Sequence, residues 1–450
     1  MSKKFFFAKH HRKLAIQGRH IVSDSKKYLE LLSPLLSPPE SVSKEWIFCD
    51  SLDLNLPFET LIKVSRTQSP RYEYSGELNY FDSELPFERI LIRDPKIKID
   101  LRGRVTLKSA MEEIRRFEKL KSVLPYVIVR FEREKRNFLG YGGNLILDTN
   151  VRYYKPDDSG RMQLLGIDEF THFGINLRNY RDTFSLLLNR INKLTSNLEI
   201  LPLMSKRWLA FHYRGESDRI PVKTEVDGYE FETKIKLDNH NFPIISESLP
   251  SGFELCAITK NKSIRRYYKG NHVNIRGDQA RWIIKGKTES INGVRVRPEQ
   301  KIDINVWSLA AHPELAQMTR IKRRIQIKSS HSQRIYTISL DRCDAYGKIF
   351  HQLEIEYNGL EEKFDNHHST PESSDLPKSF LPMKNFIQFE PPAIPSVLKM
   401  DLISEIIHIR EWITEVYNLE KESKTKRKWL LRSRESLLAL RSLKSILKND

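Results

Sequence analysis

Tyr229-Glu230-Phe231-Glu232-Thr233-Lys234 and His351-Gln352-Leu353-Glu354-Ile355-Glu356-Tyr357 are the two stretches whose reading decides the fold. In both, charged residues alternate with apolar or β-branched ones. Side chains of a β-strand point to opposite faces with a period of two, so Glu230, Glu232 and Lys234 share one face, and Glu354 and Glu356 share another. Phe231, Leu353, Ile355 and Tyr357 fall on the other side and need a core. The charged side then faces either bulk water or an enclosed polar interior.

Two strands between them repeat the alternation with the opposite charge. Arg281-Trp282-Ile283-Ile284-Lys285-Gly286-Lys287 puts Arg281, Lys285 and Lys287 on one face. Thr319-Arg320-Ile321-Lys322-Arg323-Arg324-Ile325 does the same for Arg320, Lys322 and Arg324. The run Ile335–Leu340 is again a strand pattern, with Ser339 in phase with Asp341. A half-solvated antiparallel sheet with ordinary polar faces is the alternative. Sorting by sign argues against it, because a random outer face would mix acids and bases within each strand. Two like charges ~4 Å apart at an effective dielectric of ~20 repel by about 4 kcal/mol. Convergent carboxylates therefore call for a bound cation or partial protonation. Mg²⁺ or Mn²⁺ suits hard oxygen ligands that also contact phosphate.

Glu230-x-Glu232-x-Lys234 resembles the ExExK motif that opens members of the CYTH, or triphosphate tunnel metalloenzyme, superfamily. Arg265-Arg266-Tyr267-Tyr268, then Trp282–Lys287, then Arg320-x-Lys322-Arg323-Arg324 resemble its successive basic strands in order. Leu340-Asp341-Arg342, Gly347 and Leu353–Glu356 resemble its closing aspartate and ExE strand. The resemblance spans residues 225–360, and its specificity lies in order and spacing together. It implies an α+β protein built on an antiparallel eight-stranded β-barrel tunnel. It also implies metal-side residues Glu230, Glu232, Asp341, Glu354 and Glu356, with catalysis resting on the four glutamates. Phosphate-side residues would be Lys234, Arg266, Lys285, Lys287, Arg320, Lys322 and Arg324, with Arg265 an equal candidate for the inward place of Arg266.

The remaining chain is read by composition. Its 450 residues exceed one typical core, 39% are hydrophobic and 30% charged, and the formal charge is +18. Such a basic excess favours polyanionic partners, a triphosphate or polyphosphate substrate and RNA among them. Cys49, Cys256 and Cys343 form neither a disulfide framework nor a zinc spacing, and no run approaches the ~20 apolar residues of a membrane span. The expectation is a cytoplasmic protein with no membrane partner.

Residues 1–45 read as a basic tail, 46–200 as a β-rich domain and 206–360 as the tunnel domain. Residues 361–396 read as a flexible linker and 397–450 as a basic helical region. A helical stripe over Asp182–Leu198 closes the first domain, and another pattern covers Ser109–Leu120. Phe58-Glu59-Thr60-Leu61-Ile62-Lys63 aligns with Phe231–Lys236, and Pro125–Glu134 with Leu145–Arg152 resembles the polyphosphate-polymerase branch of the same superfamily. The first block is thus a candidate degenerate copy that keeps basic residues and lacks most metal ligands. The last stretch, Leu402–Leu447, offers either a helix packed on the body or on a second copy of the chain, or a polyanion-binding arm. The function expected is a divalent-metal-dependent triphosphatase. A class IV-type adenylate cyclase and a non-catalytic nucleotide or polyphosphate sensor are the alternatives.

Overall fold

The computed structural model describes residues 15–51, 54, 61–68, 73–79, 97–101, 123–156, 161–178, 181–237, 245, 248–268, 271–276, 279–305, 316–345, 348–362 and 391–417. The chain divides into two units, Met1–Ser217 and Asp218–Asp450. Both are dominated by antiparallel sheet with few helices.

The first unit comprises β1 (Ala15–Val22), α1 (Ser25–Leu32), β2 (Glu40–Ser51), β3 (Leu61–Gln68), β4 (Glu73–Asn79) and β5 (Ile97–Leu101). It continues through β6 (Val123–Asn137), β7 (Gly143–Pro156), β8 (Met162–Asp168), β9 (His172–Arg178), α2 (Arg181–Leu194), β10 (Ile200–Pro202) and α3 (Lys206–Asp218). Its strands run in the order β10-β1-β9-β7-β6-β2-β3-β4-β5, with β8 paired to β7. The strand patterns at Val127–Phe131, Asn144–Leu147 and Phe173–Leu177 fall inside β6, β7 and β9. Gly140 and Gly142, both at positive φ, turn the β6–β7 hairpin. α1 starts on Asp24, whose carboxylate accepts from the Lys27 amide at 2.9 Å. Its Tyr28 and Leu32 pack with Leu187 and Ile191 of α2 against Leu145, Leu147, Phe173 and Ile175 of the sheet. The pattern at Ser109–Leu120 lies outside the described residues. One difference stands at the domain boundary: residues 206–218 form a helix rather than opening the second β-rich block. Trp208, Phe211, His212 and Gly215 supply its buried stripe at helical spacing.

The second unit comprises β11 (Val222–Lys223), β12 (Tyr229–Leu237), β13 (Phe253–Tyr268), β14 (Asn271–Arg276), β15 (Gln279–Lys285) and β16 (Glu289–Ile291). β17 (Val294–Asn305), β18 (Ala316–Ser329), β19 (Arg334–Ala345), β20 (Lys348–Glu361) and α4 (Ser396–Val416) follow. Strands β20, β12, β17, β15, β14, β13, β18 and β19 pair in that order, and β19 pairs back to β20, so eight strands close into a ring. Closure removes the open edges that would otherwise template aggregation. The β16–β17 hairpin turns on Asn292-Gly293, both at positive φ, the conformation a two-residue turn between twisted strands needs.

Closure also divides each strand's residues into two environments. Phe231, Ile235, Val296, Ile325, Tyr336, Ile338, Leu340, Leu353, Ile355 and Tyr357 gather in one cluster on the outer face. α4 lies over that face, burying Leu402, Ile403, Ile406, Ile409 and Ile413 completely. Glu405 fixes its position by accepting from Ser329 at 3.1 Å, Ser332 at 2.7 Å, Arg334 at 3.3 Å and the Tyr336 hydroxyl. Arg410 donates to the Asn292 carbonyl at 2.8 Å. The described part of the C-terminal region is therefore a packed element, while its basic run Lys424–Lys444 lies outside the described residues. Among the described residues no helix is long and apolar enough to cross a membrane.

Truncation after residue 395 should expose this apolar face and yield aggregated or unfolded protein. Ile409→Ala should destabilise the second unit by about 2–5 kcal/mol. Denaturant melts decide the matter: an unchanged midpoint in both would mean that α4 is not part of the core.

Candidate metal and phosphate site

The other face of the same strands turns into the ring and lines a cavity of about 300 Å³. Its walls carry eleven Lys and Arg side chains and five carboxylates. Register explains how so many charges coexist. Glu230 stands opposite Arg297, Glu232 opposite Arg295, and Lys234 opposite Glu354. Lys285 faces Glu299, Arg281 faces Asp303, and Lys322 faces Asp341. β17, whose inward face carries Arg295, Arg297 and Lys301 with Glu299 and Asp303, thus places an opposite charge beside each charge of β12 and β15 that it meets.

The sequence alone suggests mutually repelling carboxylates; the folded ring pairs Glu230 and Glu354 with cations and leaves the repulsion on Glu232. Glu230 takes both oxygens to Lys285 at 2.7 Å and accepts from Arg297 at 2.5 Å. Arg297 donates its second branch to Glu232 at 2.6 Å, so one guanidinium bridges the two motif glutamates. Glu354 lies 3.5 Å from Lys234 and 3.4 Å from Lys322, and it also accepts from Arg320. Arg320 additionally binds Asp341, whose carboxylate accepts from Gln352 at 3.1 Å.

Acidities follow from these contacts. Burial alone would raise Glu230, but Lys285 and Arg297 outweigh it and hold its carboxyl well below the ordinary range. Glu354 is likewise held well below, with Lys234, Lys322 and Arg320 overcoming burial. Glu232 goes the other way: burial first, then the charge of Glu230, push it up to about 7. Burial and the neighbouring Arg320 lower the Lys322 ammonium. The trio therefore holds one carboxyl that is reluctant to ionise beside two that are ionised.

Glu230, Glu232 and Glu354 each offer an oxygen within 4.8 Å of the others. The Glu232 Oε2 atom is buried without a hydrogen bond, although the Lys234 ammonium is 3.1 Å away. A small set of converging hard oxygens with one unsatisfied atom fits a divalent cation. Asp341 is fully buried beside this group; Arg320 and Gln352 both hold its Oδ2, while its Oδ1 is buried without a hydrogen bond. Glu356 lines the cavity and, among the described residues, holds no ion pair.

Of the residues expected on the phosphate side, Lys234, Lys285, Arg320, Lys322 and Arg324 line the cavity. Arg265 lines it too, bonding Asn274 at 3.0 Å, which puts Arg266 on the opposite face by strand alternation. Lys287 is exposed beyond the end of β15. The sequence reading misses β17 entirely, although Arg295, Arg297, Glu299, Lys301 and Asp303 all line the cavity. The signal is present as five alternating charges, interrupted by Pro298, a residue that usually argues against an inner strand. Here the Pro298 carbonyl accepts from the Gly286 amide at 2.8 Å, and its ring lies where a Gly286 Cβ would stand.

No protein family matches the sequence, and no curated protein matches it. Among solved structures, the Schizosaccharomyces pombe Mediator head module contains a chain with a TM-score of 0.31 and 9% identity, over 42% of this chain and 99% of that one. A candidate adenylate cyclase from Bacillus halodurans gives 0.29 and 11%, over 44% and 97%. A candidate adenylyl cyclase from Hippeastrum, described as having a dominant triphosphatase activity, gives 0.28 and 11%, over 44% and 94%.

The first unit has a different polar interior. Lys63, at the end of the candidate motif Phe58–Lys63, lies 4.2 Å over the Trp46 ring, with Arg133 at 4.9 Å and Lys206 at 5.9 Å from the same ring. Asp148 takes both branches of Arg133, at 2.6 and 2.7 Å, and the Lys206 ammonium at 2.6 Å. Lys206 also meets His172 Nδ1 at 3.2 Å, and His172 Nε2 meets Asp168 at 2.8 Å. A neutral ring protonated on Nε2 satisfies both contacts. Burial, then the Lys206 charge, lower His172 to about 4. Burial lowers Lys206 to about 8 against the pull of Asp148.

Two outcomes follow from these networks. Arg297→Met leaves Glu230 and Glu232 facing each other and should cost about 3–5 kcal/mol. Added Mn²⁺ should raise the melting temperature of that variant more than that of the parent, and equal shifts would count against a cation at the trio. For His172, the folded value of about 4 lies below the unbound 6.5. The unfolded chain therefore takes up the proton first as pH falls, and stability drops between about 6.5 and 4. His172→Gln should flatten that decline, as followed by urea midpoints across the interval.

Proposed function

We propose that the second unit is a divalent-metal-dependent triphosphatase. The observation that carries this reading is a cavity of about 300 Å³ lined by eleven cationic side chains and by Glu230 and Glu354, with Glu232 buried beside them to complete the trio. Cations in excess of acids favour a compact, highly charged anion, and a volume at the low end of ligand pockets suits a short one.

The internal ion pairs supply the binding mechanism. Phosphate oxygens entering the ring compete with carboxylates for Lys285, Arg297, Arg320 and Lys322. Each cation that turns to phosphate uncovers an acid, so substrate and a metal at the trio favour each other's binding. A metal held by Glu230, Glu232 and Glu354 would neutralise phosphate charge and lower the pKa of a bound water. Lys234, Lys285, Arg320, Lys322 and Arg324 fix the phosphate chain and stabilise charge on the leaving oxygen. Glu356 faces the cavity, holds no ion pair among the described residues, and is the carboxylate to which this reading gives the task of orienting the attacking water and accepting its proton. The basic balance of the chain, +18 overall, extends the candidate substrates from tripolyphosphate and nucleotides to an RNA 5′-triphosphate.

The two carboxylates separate chemistry from folding. Glu356→Gln should keep the parental melting temperature and lose metal-dependent release of phosphate by at least about a hundredfold. Glu230→Gln should lose activity and stability together, because it removes the negative charge that Lys285 and Arg297 share. Products from tripolyphosphate, ATP and 5′-triphosphate RNA are read by mass. A cyclic nucleotide would assign the cavity to a cyclase, binding without turnover would assign it to a sensor, and full activity in the Glu356 variant would remove that residue from the chemistry.

A further inference from the structure

Ten of the eleven cavity cations are engaged by neighbouring groups. The eleventh, Arg219, lines the cavity, yet among the described residues it holds no hydrogen bond or ion pair. It belongs to no strand of the ring: it follows α3, and the next residues lead into β11. Ile220 donates its amide to Gln326 Oε1 at 3.1 Å. Gln326 continues the inward alternation of Arg320, Lys322 and Arg324 on β18, so the backbone of residues 219–221 passes over the end of the ring rather than along its outer wall. The Pro221 carbonyl accepts from the Glu362 amide at 3.0 Å, and Val222 and Lys223 pair with Glu361 and Leu360 of β20. Gly359, at a φ of +137°, admits this close pairing, since a Cβ there would stand 2.5 Å from the Lys223 carbonyl oxygen.

We infer that Arg219 is a phosphate clamp held over a closed end of the cavity, where it binds the terminal phosphate of the substrate beside Glu356. The inference rests on the triphosphatase reading above and adds to its site a residue from outside the ring. Gln326, Thr337 and Glu356 stand side by side on β18, β19 and β20. The Ile220 anchor and the Glu356 backbone are thus two strand spacings apart, about 10 Å. Arg219 and Glu356 both line this end of the cavity, and among the described residues neither holds an ion pair. Opposite charges so placed and still unpaired leave a gap for a third group. A phosphate that accepts from the guanidinium while a water on the carboxylate faces its phosphorus fills that gap. The other cations are already engaged and must give up a contact before they turn to phosphate, whereas Arg219 gives up none. Its planar fork offers two parallel donors to two phosphate oxygens. The closed end also sets the direction of entry: the chain comes in from the side of Arg281 and Asp303, whose side chains are 50% and 74% exposed.

Calorimetric titration of the full chain in Mg²⁺ with an imido-bridged, hydrolysis-resistant tripolyphosphate tests this. Arg219→Gln should weaken binding about tenfold or more, the worth of a charge-assisted hydrogen bond. It should keep the parental melting temperature, because no bond of the folded protein is lost. Lys223→Gln removes the same charge four positions further on, from an exposed side chain, and should bind as the parent does. Gln326→Leu removes the acceptor that anchors Ile220 and should weaken binding too. The double variant should bind no more weakly than Arg219→Gln alone, since Gln326 acts through Arg219. Unchanged affinity in Arg219→Gln, or an equal loss in Lys223→Gln, would overturn the clamp, and weakened binding in Lys285→Ala would then leave the triphosphatase reading standing. Fully additive losses in the double variant would overturn the anchoring of Arg219 by Gln326. Absence of binding by the parent would overturn both the clamp and the reading it rests on. Arg219→Gln remains informative if Gln326→Leu fails to fold.

Discussion

One guanidinium holds the interior of the second unit together. Arg297 bonds Glu230 through one nitrogen and Glu232 through another, and it is the one described side chain that hydrogen-bonds both of these buried glutamates on adjacent inward positions of β12. Burying charges is expensive, and a pair formed inside a protein often only offsets that cost. A ring filled with ion pairs is therefore poor economy for stability alone. It makes sense where a ligand will take over some of the bonds. Arg297, Arg320 and Lys322 already point inward and are already largely desolvated, so an arriving polyanion exchanges partners there instead of stripping water from each side chain.

The stability of the ring comes from the other face. Apolar residues of β12, β17, β18, β19 and β20 form a continuous cluster, and α4 closes over it with five fully buried Leu and Ile side chains. This division lets one set of strands serve two purposes. Odd positions on β12 hold the fold and even positions hold charge. The Glu405 contacts tie the helix to the β18–β19 hairpin, so the outer cover is fixed at a polar as well as an apolar point.

The two units share a sheet-rich build but differ in what they keep inside. In the second, acids and bases line an open cavity. In the first, Asp148, Asp168, His172, Lys206 and Arg133 are closed on one another and on Trp46, with a neutral histidine between a lysine and an aspartate. Groups so fully engaged behave as structure: Asp148 is held well below the usual carboxylate range because Lys206 and Arg133 overcome its burial. The contrast is one of commitment rather than of residue type.

The alternation of charge with apolar residues in Tyr229–Lys234 and Gln352–Tyr357 was enough to determine that these segments are strands and which side chains share a face, because the two-residue period is a local property of extended backbone. The same period assigned Lys285, Arg320, Lys322 and Arg324 to one environment. It could not say which strand lies beside which. Pairing β12 with β17 is a contact between segments about sixty residues apart, set by closure of the ring and by the outer core, and only that pairing made Arg297 the partner of Glu230 and Glu232. It also separated Arg265 from Arg266, where the sequence offers two equal neighbours, and left Lys287 past the end of its strand. Repulsion among carboxylates, which follows from their spacing in the chain, was relieved at Glu230 and Glu354 once cross-strand neighbours were in place, and persists at Glu232. The face of each residue was decided locally; its partner, and so its chemistry, was decided by the register of strands that the linear chain keeps apart.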